Sequence, residues 1–107
     1  MQNKLITLDK AKKEVERMQR YIEMVENYEA DTLEKWIIKK YALTNSIKNI
    51  LEEAAIEGIT YNNLPLDRNY ISSVINGKPT DELHRILRLG YRQKIKPNKK
   101  NHKRFGR

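Results

Sequence analysis

An all-α fold is expected for this chain of 107 residues, and three observations in the sequence carry that expectation. Apolar residues recur at helical spacing over most of the first 93 positions. Each periodic segment follows a residue able to cap a helix, and Gly58 and Asn76-Gly77 stop two of them. The segment Ile59–Leu66 alone mixes β-branched and turn residues, with Pro65 barring helix continuity. The architecture expected is an N-terminal amphipathic helix, a bundle making roughly five helices in all, and a disordered basic C-terminal tail.

The first helix is expected from Thr7 to about Glu29, with Thr7 as its cap and Asp9 at the positive end of its dipole. Leu8, Ala11, Val15, Met18, Ile22 and Val25 follow at spacings of 3, 4, 3, 4 and 3, a heptad seam. Packing of that seam on the rest of the chain is favoured over pairing with a second copy, although a homodimer through this helix is the other use for it. Asp31-Thr-Leu-Glu34 opens a second helix as a capping box. Leu33, Ile37 and Tyr41 form its inner face, with Trp36 beside them. A break at Thr44–Ser46 is preferred to one long helix, because these residues bond locally with the backbone. Ser46 then caps a third helix to Glu57, with Ile47, Ile50, Leu51 and Ala54 as its stripe and Gly58 as a left-handed cap.

After a short extended connector with a turn at Asn62-Asn63, Asp67 caps a fourth helix ending at Asn76-Gly77. On a wheel of about 100° per residue, Tyr70, Ile71, Val74 and Ile75 share one arc. Arg68, Asn69, Ser72 and Ser73 share the other. Thr80 is expected to cap a fifth helix to about Gln93. In that helix Arg85, Arg88 and Arg92 make a stripe opposite Leu83, Ile86, Leu87 and Gly90. The segments are read as a bracing or dimerisation helix (1–30), a central domain (31–93) and a tail (94–107).

Charge is distributed unevenly. Residues 1–91 hold 14 Lys and Arg against 14 Asp and Glu, whereas 92–107 hold eight basic residues and no acid. The whole net charge of +8 thus belongs to the end of the chain, which points to a polyanionic partner held by the C-terminal half. Arg85, Arg88 and Arg92 form the expected phosphate-binding ridge, joined by Lys78 and by Lys94, Lys96, Lys99, Lys100, Lys103 and Arg104. The outward residues of the fourth helix suit base edges: arginine pairs bidentately with guanine, asparagine with adenine, and serine with either bases or phosphates.

Other chemistries find little support. The chain has no cysteine, which removes disulfides, thiolate metal sites and a thiol nucleophile. His84 and His102 are its two histidines, without metal-ligand spacing, a glycine-rich phosphate loop or a catalytic triad order. Neither an enzyme nor a cofactor is expected. The N-terminal MQNKLITLDK has no apolar signal core, and no run approaches the roughly 18 apolar residues of a membrane span. A cytoplasmic protein with no membrane partner is the expectation.

The segment Tyr70-Ile71-Ser72-Ser73-Val74-Ile75-Asn76-Gly77-Lys78, followed by a helix, resembles the end of the recognition helix in Cro/C1-type repressors. Gly58-Ile59-Thr60 and Leu64 resemble the opening of that family's second helix, a pattern from which Pro65 departs. The order Leu33–Leu43, Ser46–Glu57, Asp67–Ile75 is similar to the trihelical, homeodomain-like modules of recombinases and small phage or mobile-element regulators, with an expanded turn. Either resemblance implies a helix-turn-helix protein that binds double-stranded DNA through residues 67–75, as a small transcriptional regulator. A third arrangement uses the tight Asn76–Pro79 turn and sends the fifth helix into the groove, but Asp81 and Glu82 would then lead toward phosphates. Two other functions fit the composition: RNA binding or a ribosome-associated adaptor working through the tail, and a structural subunit working through the heptad seam.

Overall fold

The computed structural model describes the backbone of residues 5–105 and the side chains of residues 5–95. Five helices carry the fold: α1 (Leu8–Glu26), α2 (Leu33–Thr44), α3 (Ile47–Glu57), α4 (Arg68–Ile75) and α5 (Glu82–Phe105). Between α3 and α4 lies a minimal antiparallel hairpin of β1 (Thr60–Tyr61) and β2 (Leu64–Pro65). The all-α class is therefore correct, with the connector forming the small extended piece.

Most helix boundaries follow their capping chemistry. Thr7 Oγ1 accepts from the Lys10 amide at 3.2 Å, Ser46 Oγ from Asn49 at 3.1 Å, and Asp67 Oδ1 from Tyr70 at 2.8 Å. The break between α2 and α3 is real. Asn45 turns left-handed at φ 53° and its amide donates to the Tyr41 carbonyl, so the chain reverses before Ser46 restarts it. Gly58 ends α3 at φ 72°, where glycine carries no steric cost. The turn at Asn62-Asn63 has φ of 54° and 66°, the paired left-handed residues of a two-residue hairpin loop.

Two caps differ from expectation. Thr32 caps α2 through a bond from the Lys35 amide at 3.2 Å, while Asp31 sits one residue too early and pairs with the Lys35 ammonium at 3.7 Å. Asp81, not Thr80, caps α5, its Oδ1 accepting from the His84 amide at 2.9 Å. The other oxygen, Oδ2, accepts from the Tyr28 hydroxyl at 2.7 Å. Burial and this carboxylate both push the Tyr28 phenol upward from its ordinary value. That contact also explains the early end of α1 at Glu26: Tyr28 leaves the helix axis to reach α5, and its carbonyl accepts from Lys39 Nζ at 3.0 Å. α5 continues beyond Gln93, with Lys94 and Ile95 on it. From Lys96 on, the expected basic tail lies outside the residues whose side chains are described.

α2 is the central element, in contact with α1, α3, α4 and α5. Ile37, Ile38 and Tyr41 from α2 meet Ile50 and Ala54 from α3, Leu66 just before α4, Ile71 and Ile75 from α4, and Leu83 and Leu87 from α5. Burial of each large aliphatic side chain contributes roughly 1.5–3 kcal/mol, so this cluster holds the four helices as one body. Trp36 and Leu33 are half-buried beside it, and Lys40 lies over the Trp36 ring while pairing with Glu53 at 2.7 Å. That hydrogen-bonded carboxylate holds the Lys40 ammonium above its usual range.

The heptad seam of α1 does not pack on this body as expected. Only Val25 at its far end is buried, and Leu8, Val15, Met18 and Ile22 face outward. Tyr21 and Met24, on the adjacent arc, and Tyr28, just past the helix end, make the contacts instead.

Candidate nucleic-acid interface

α4 enters the core with Ile71 and Ile75, both without solvent exposure, and Tyr70 and Val74 are half-buried against the same body. Tyr70 also stacks on Tyr61 of the hairpin, ring centroids 4.3 Å apart. The outer face is left to Asn69 and Ser73, both exposed, with Arg68 exposed in the first position of the helix. Ser73 Oγ donates to the Tyr70 carbonyl at 2.6 Å, so its hydrogen is already committed. Ser72, expected on the outward arc, is half-buried. It shares a hydrogen bond of 2.8 Å with the Tyr91 hydroxyl of α5, and the Tyr91 ring meets Tyr41 edge-on at 6.1 Å. The four residues assigned to base reading thus divide between an outer pair, Asn69 and Ser73, and a flank beside α5.

The turn from α4 to α5 is tied by His84, which is 5% exposed. Its Nδ1 faces the Thr80 amide at 3.4 Å, which leaves Nε2–H to donate to the carbonyls of Val74 at 2.9 Å and Ile75 at 3.1 Å. In the structure His84 is a core residue that satisfies the last carbonyls of α4. Gly77 completes this turn. A Cβ there would lie 2.9 Å from the Ser73 carbonyl oxygen, a backbone atom with little room to yield. Gly77→Ala is expected to cost about 1–3 kcal/mol by overpacking, read as a lower denaturant midpoint with an unchanged slope.

Arg88 and Arg92 reach across this turn. Arg88 Nε donates to the Asn76 carbonyl at 3.3 Å, and Arg92 Nε to Asn76 Oδ1 at 2.7 Å. Both are fixed relative to the end of α4 through Nε. Arg85 is different: Glu82, one turn earlier on the same stripe, pairs with it at 3.8 Å. Of the three arginines of the expected ridge, Arg88 and Arg92 have no carboxylate partner among the described residues and Arg85 has one. Lys78 is exposed just after the turn. Lys94 Nζ donates to the Asn45 carbonyl at 3.2 Å and so lies toward the α2–α3 junction. Lys96, Lys99, Lys100, Lys103 and Arg104 lie outside the residues whose side chains are described.

Beside α4 is a groove of about 360 Å³ lined by Asn45, Ser46, Lys48, Arg68, Tyr91 and Lys94, among others. Three cations from three elements meet there, and Lys48 was not foreseen. Its signal was legible. The first turns of α1, α2 and α5 carry Asp9, Glu34 and Glu82, which offset the positive end of a helix dipole. The first turns of α3 and α4 carry no acid, and hold Lys48 and Arg68 instead. At α3, capped by the neutral Ser46, Lys48 thus adds a cation to an already positive end, whereas at α4 the capping Asp67 carboxylate precedes Arg68. Among the described residues, Lys48, Arg68, Lys78, Arg88, Arg92 and Lys94 have no carboxylate within 4.0 Å.

The boundaries of α2, α3 and α4 lie within a few residues of the segments Leu33–Leu43, Ser46–Glu57 and Asp67–Ile75 expected to be helical, and the hairpin joins α3 to α4. At Gly58–Leu64, where the Cro/C1 alignment puts a helix opening, the chain forms a helix cap and β1. Among the described residues no helix is long and apolar enough to cross a membrane. No family model, no curated protein and no solved structure matches the chain.

Proposed function

We propose that the protein binds double-stranded DNA as a small transcriptional regulator, with α4 directed to the bases and the cations around it on the phosphates. The observation that carries this reading is the electrostatics of the groove beside α4. Two helix N-termini with no acid in their first turns converge there with Lys48, Arg68 and Lys94. Cations without a carboxylate partner, gathered in one concavity, favour an anion with regularly spaced charges. Arg88 and Arg92, tied to Asn76 at the other end of α4, supply a second set of contacts. A helix flanked by cations at both ends suits a groove flanked by two phosphate strands. Phosphate contacts of this kind set position and affinity, whereas sequence is read from base edges. On α4 that reading falls to Asn69 and Arg68, with Ser73 beside them.

Fluorescence anisotropy of a labelled duplex pool at low salt tests this reading, followed by selection of the bound sequences. Expected are binding with a negative dependence on log salt and a recoverable sequence preference. Truncation of residues 94–107 is expected to weaken binding broadly and lower the salt slope, by at most about 0.9 per lost phosphate contact, while the preference survives. Absence of duplex binding at low salt would reject the proposal. Complete loss on truncation, with RNA bound in preference to duplex by the full chain, would move the function to the tail and to RNA.

A further inference from the structure

α1 is anchored to the domain by its C-terminal end alone. Val25 is buried, whereas Leu8, Val15, Met18 and Ile22 are 69%, 60%, 59% and 50% exposed. The geometry has a simple cause. A seam that repeats every seven residues drifts by about 20° per heptad on a straight α-helix. It meets the domain-facing arc of Tyr21 and Met24 only at its last position. What remains is a straight apolar stripe from Leu8 to Ile22, roughly 21 Å long at about 1.5 Å per residue. Isolated exposed apolar residues are ordinary on a protein surface, but a continuous row at heptad spacing is a helix-pairing surface.

We propose that this stripe pairs with the same stripe of a second copy of the chain, in the antiparallel sense. Charge along α1 selects the partner and its direction. Lys10, Lys12, Lys13 and Arg17 outnumber Asp9, Glu14 and Glu16 in the first half of the helix, and Glu23 and Glu26 outnumber Arg20 in the second, so the halves carry opposite net charge. A parallel pair collects the lysines of both copies at one end and the glutamates at the other. An antiparallel pair sets the lysine end of each copy alongside the glutamate end of the other.

The anchoring of α1 gives the same direction. Its C-terminal seam position, Val25, is closed by the chain's own core, and the domain occupies that end. A parallel pair would force two domains together at a seam already used. The antiparallel pair uses the open stretch and places the domains at opposite ends. In the register that aligns Ala11–Ile22 of the two copies, Val15 of each copy faces Met18 of the other and Ala11 faces Ile22, small against large, and Leu8 lies outside the paired stretch. Lys12 and Gln19 then flank one edge and Glu14 and Tyr21 the other, with no like charges opposed. Two short helices bury less area than a permanent dimer requires, so the association is concentration dependent. It does not depend on what the domain binds.

Sedimentation equilibrium of the full chain from about 1 μM to about 1 mM tests the pairing, a range chosen for a contact of this size. A monomer–dimer equilibrium is expected, and a monomer throughout would overturn the proposal. Val15→Asp with Met18→Asp is expected to leave a monomer with unchanged thermal midpoint, because both positions are exposed. Persistence of the dimer in that variant would also overturn it. Direction is read by disulfide trapping, since the chain has no native cysteine. Ala11→Cys mixed with Ile22→Cys is expected to give the mixed disulfide. Efficient self-linking of Ala11→Cys would show a parallel pair and reject the antiparallel one.

Discussion

Replacement of His84 by alanine is expected to destabilise the fold by about 2–4 kcal/mol, combining a stranded buried acceptor with an unfilled cavity. The imidazole is buried where α4 ends, α5 begins and α2 passes behind. Nε2–H serves the carbonyls of Val74 and Ile75. The Val74 carbonyl keeps the Gly77 amide at 3.3 Å as a second donor, so the Ile75 carbonyl bears most of the loss. For a domain of this size such a change lowers the thermal midpoint by roughly 10–20 °C. Two further variants separate the causes. His84→Phe restores volume without a donor, and His84→Gln restores a donor with less volume. Recovery by Gln but not by Phe is expected. Full recovery by Phe would show that His84 acts by packing alone. The functional consequence follows from position: the same turn sets the angle between α4 and the basic face of α5, so a loosened turn weakens any ligand that touches both.

The elements most legible in the sequence were those set by local chemistry. Caps at Thr7, Ser46 and Asp67, the stop at Gly58 and the turn at Asn62-Asn63 each depend on a residue and its neighbours three or four positions away. Features that depend on distant partners were misread. Asp81 caps α5 in place of Thr80 because Tyr28, which lies 53 residues earlier, holds its other oxygen. Ser72 turns to Tyr91 because α5 passes that flank of α4, and a helical wheel of α4 alone cannot contain that information. Arg88 and Arg92 found their partners on Asn76, in another helix's cap. The seam of α1 was plain as a pattern, but which side of the helix the domain would use was settled by Tyr21 and Met24, outside the pattern. Lys48 shows the reverse case. Its place in the first turn of α3, where a cation is unfavourable, was a local signal that periodicity alone passed over.

Removing Arg88 and Arg92 together is expected to lower DNA affinity by roughly tenfold or more and to flatten the log-affinity against log-salt plot by about 1.8, two contacts at about 0.9 each. Their bonds to Asn76 use Nε, which leaves the outer guanidinium nitrogens for phosphate oxygens in the usual forked geometry. Because both bonds are at the exposed surface, the alanine pair is expected to change folding stability by no more than about 1 kcal/mol. Loss of binding would then not be loss of fold. Lysine at both positions separates charge from placement. The ammonium keeps the counterion term, so the salt slope is expected to stay near that of the parent protein, but it lacks the planar fork and the Nε bond to Asn76. Affinity is therefore expected to fall between the parent and the alanine pair. Arg85→Ala serves as the contrast, since Glu82 beside Arg85 offsets part of its charge, and is expected to shift the slope by less than one full contact. Equal slopes for all three variants would show that phosphates do not approach this face of α5. The groove of Lys48, Arg68 and Lys94 would then have to hold the backbone alone, and Lys48→Ala would be the variant that flattens the plot.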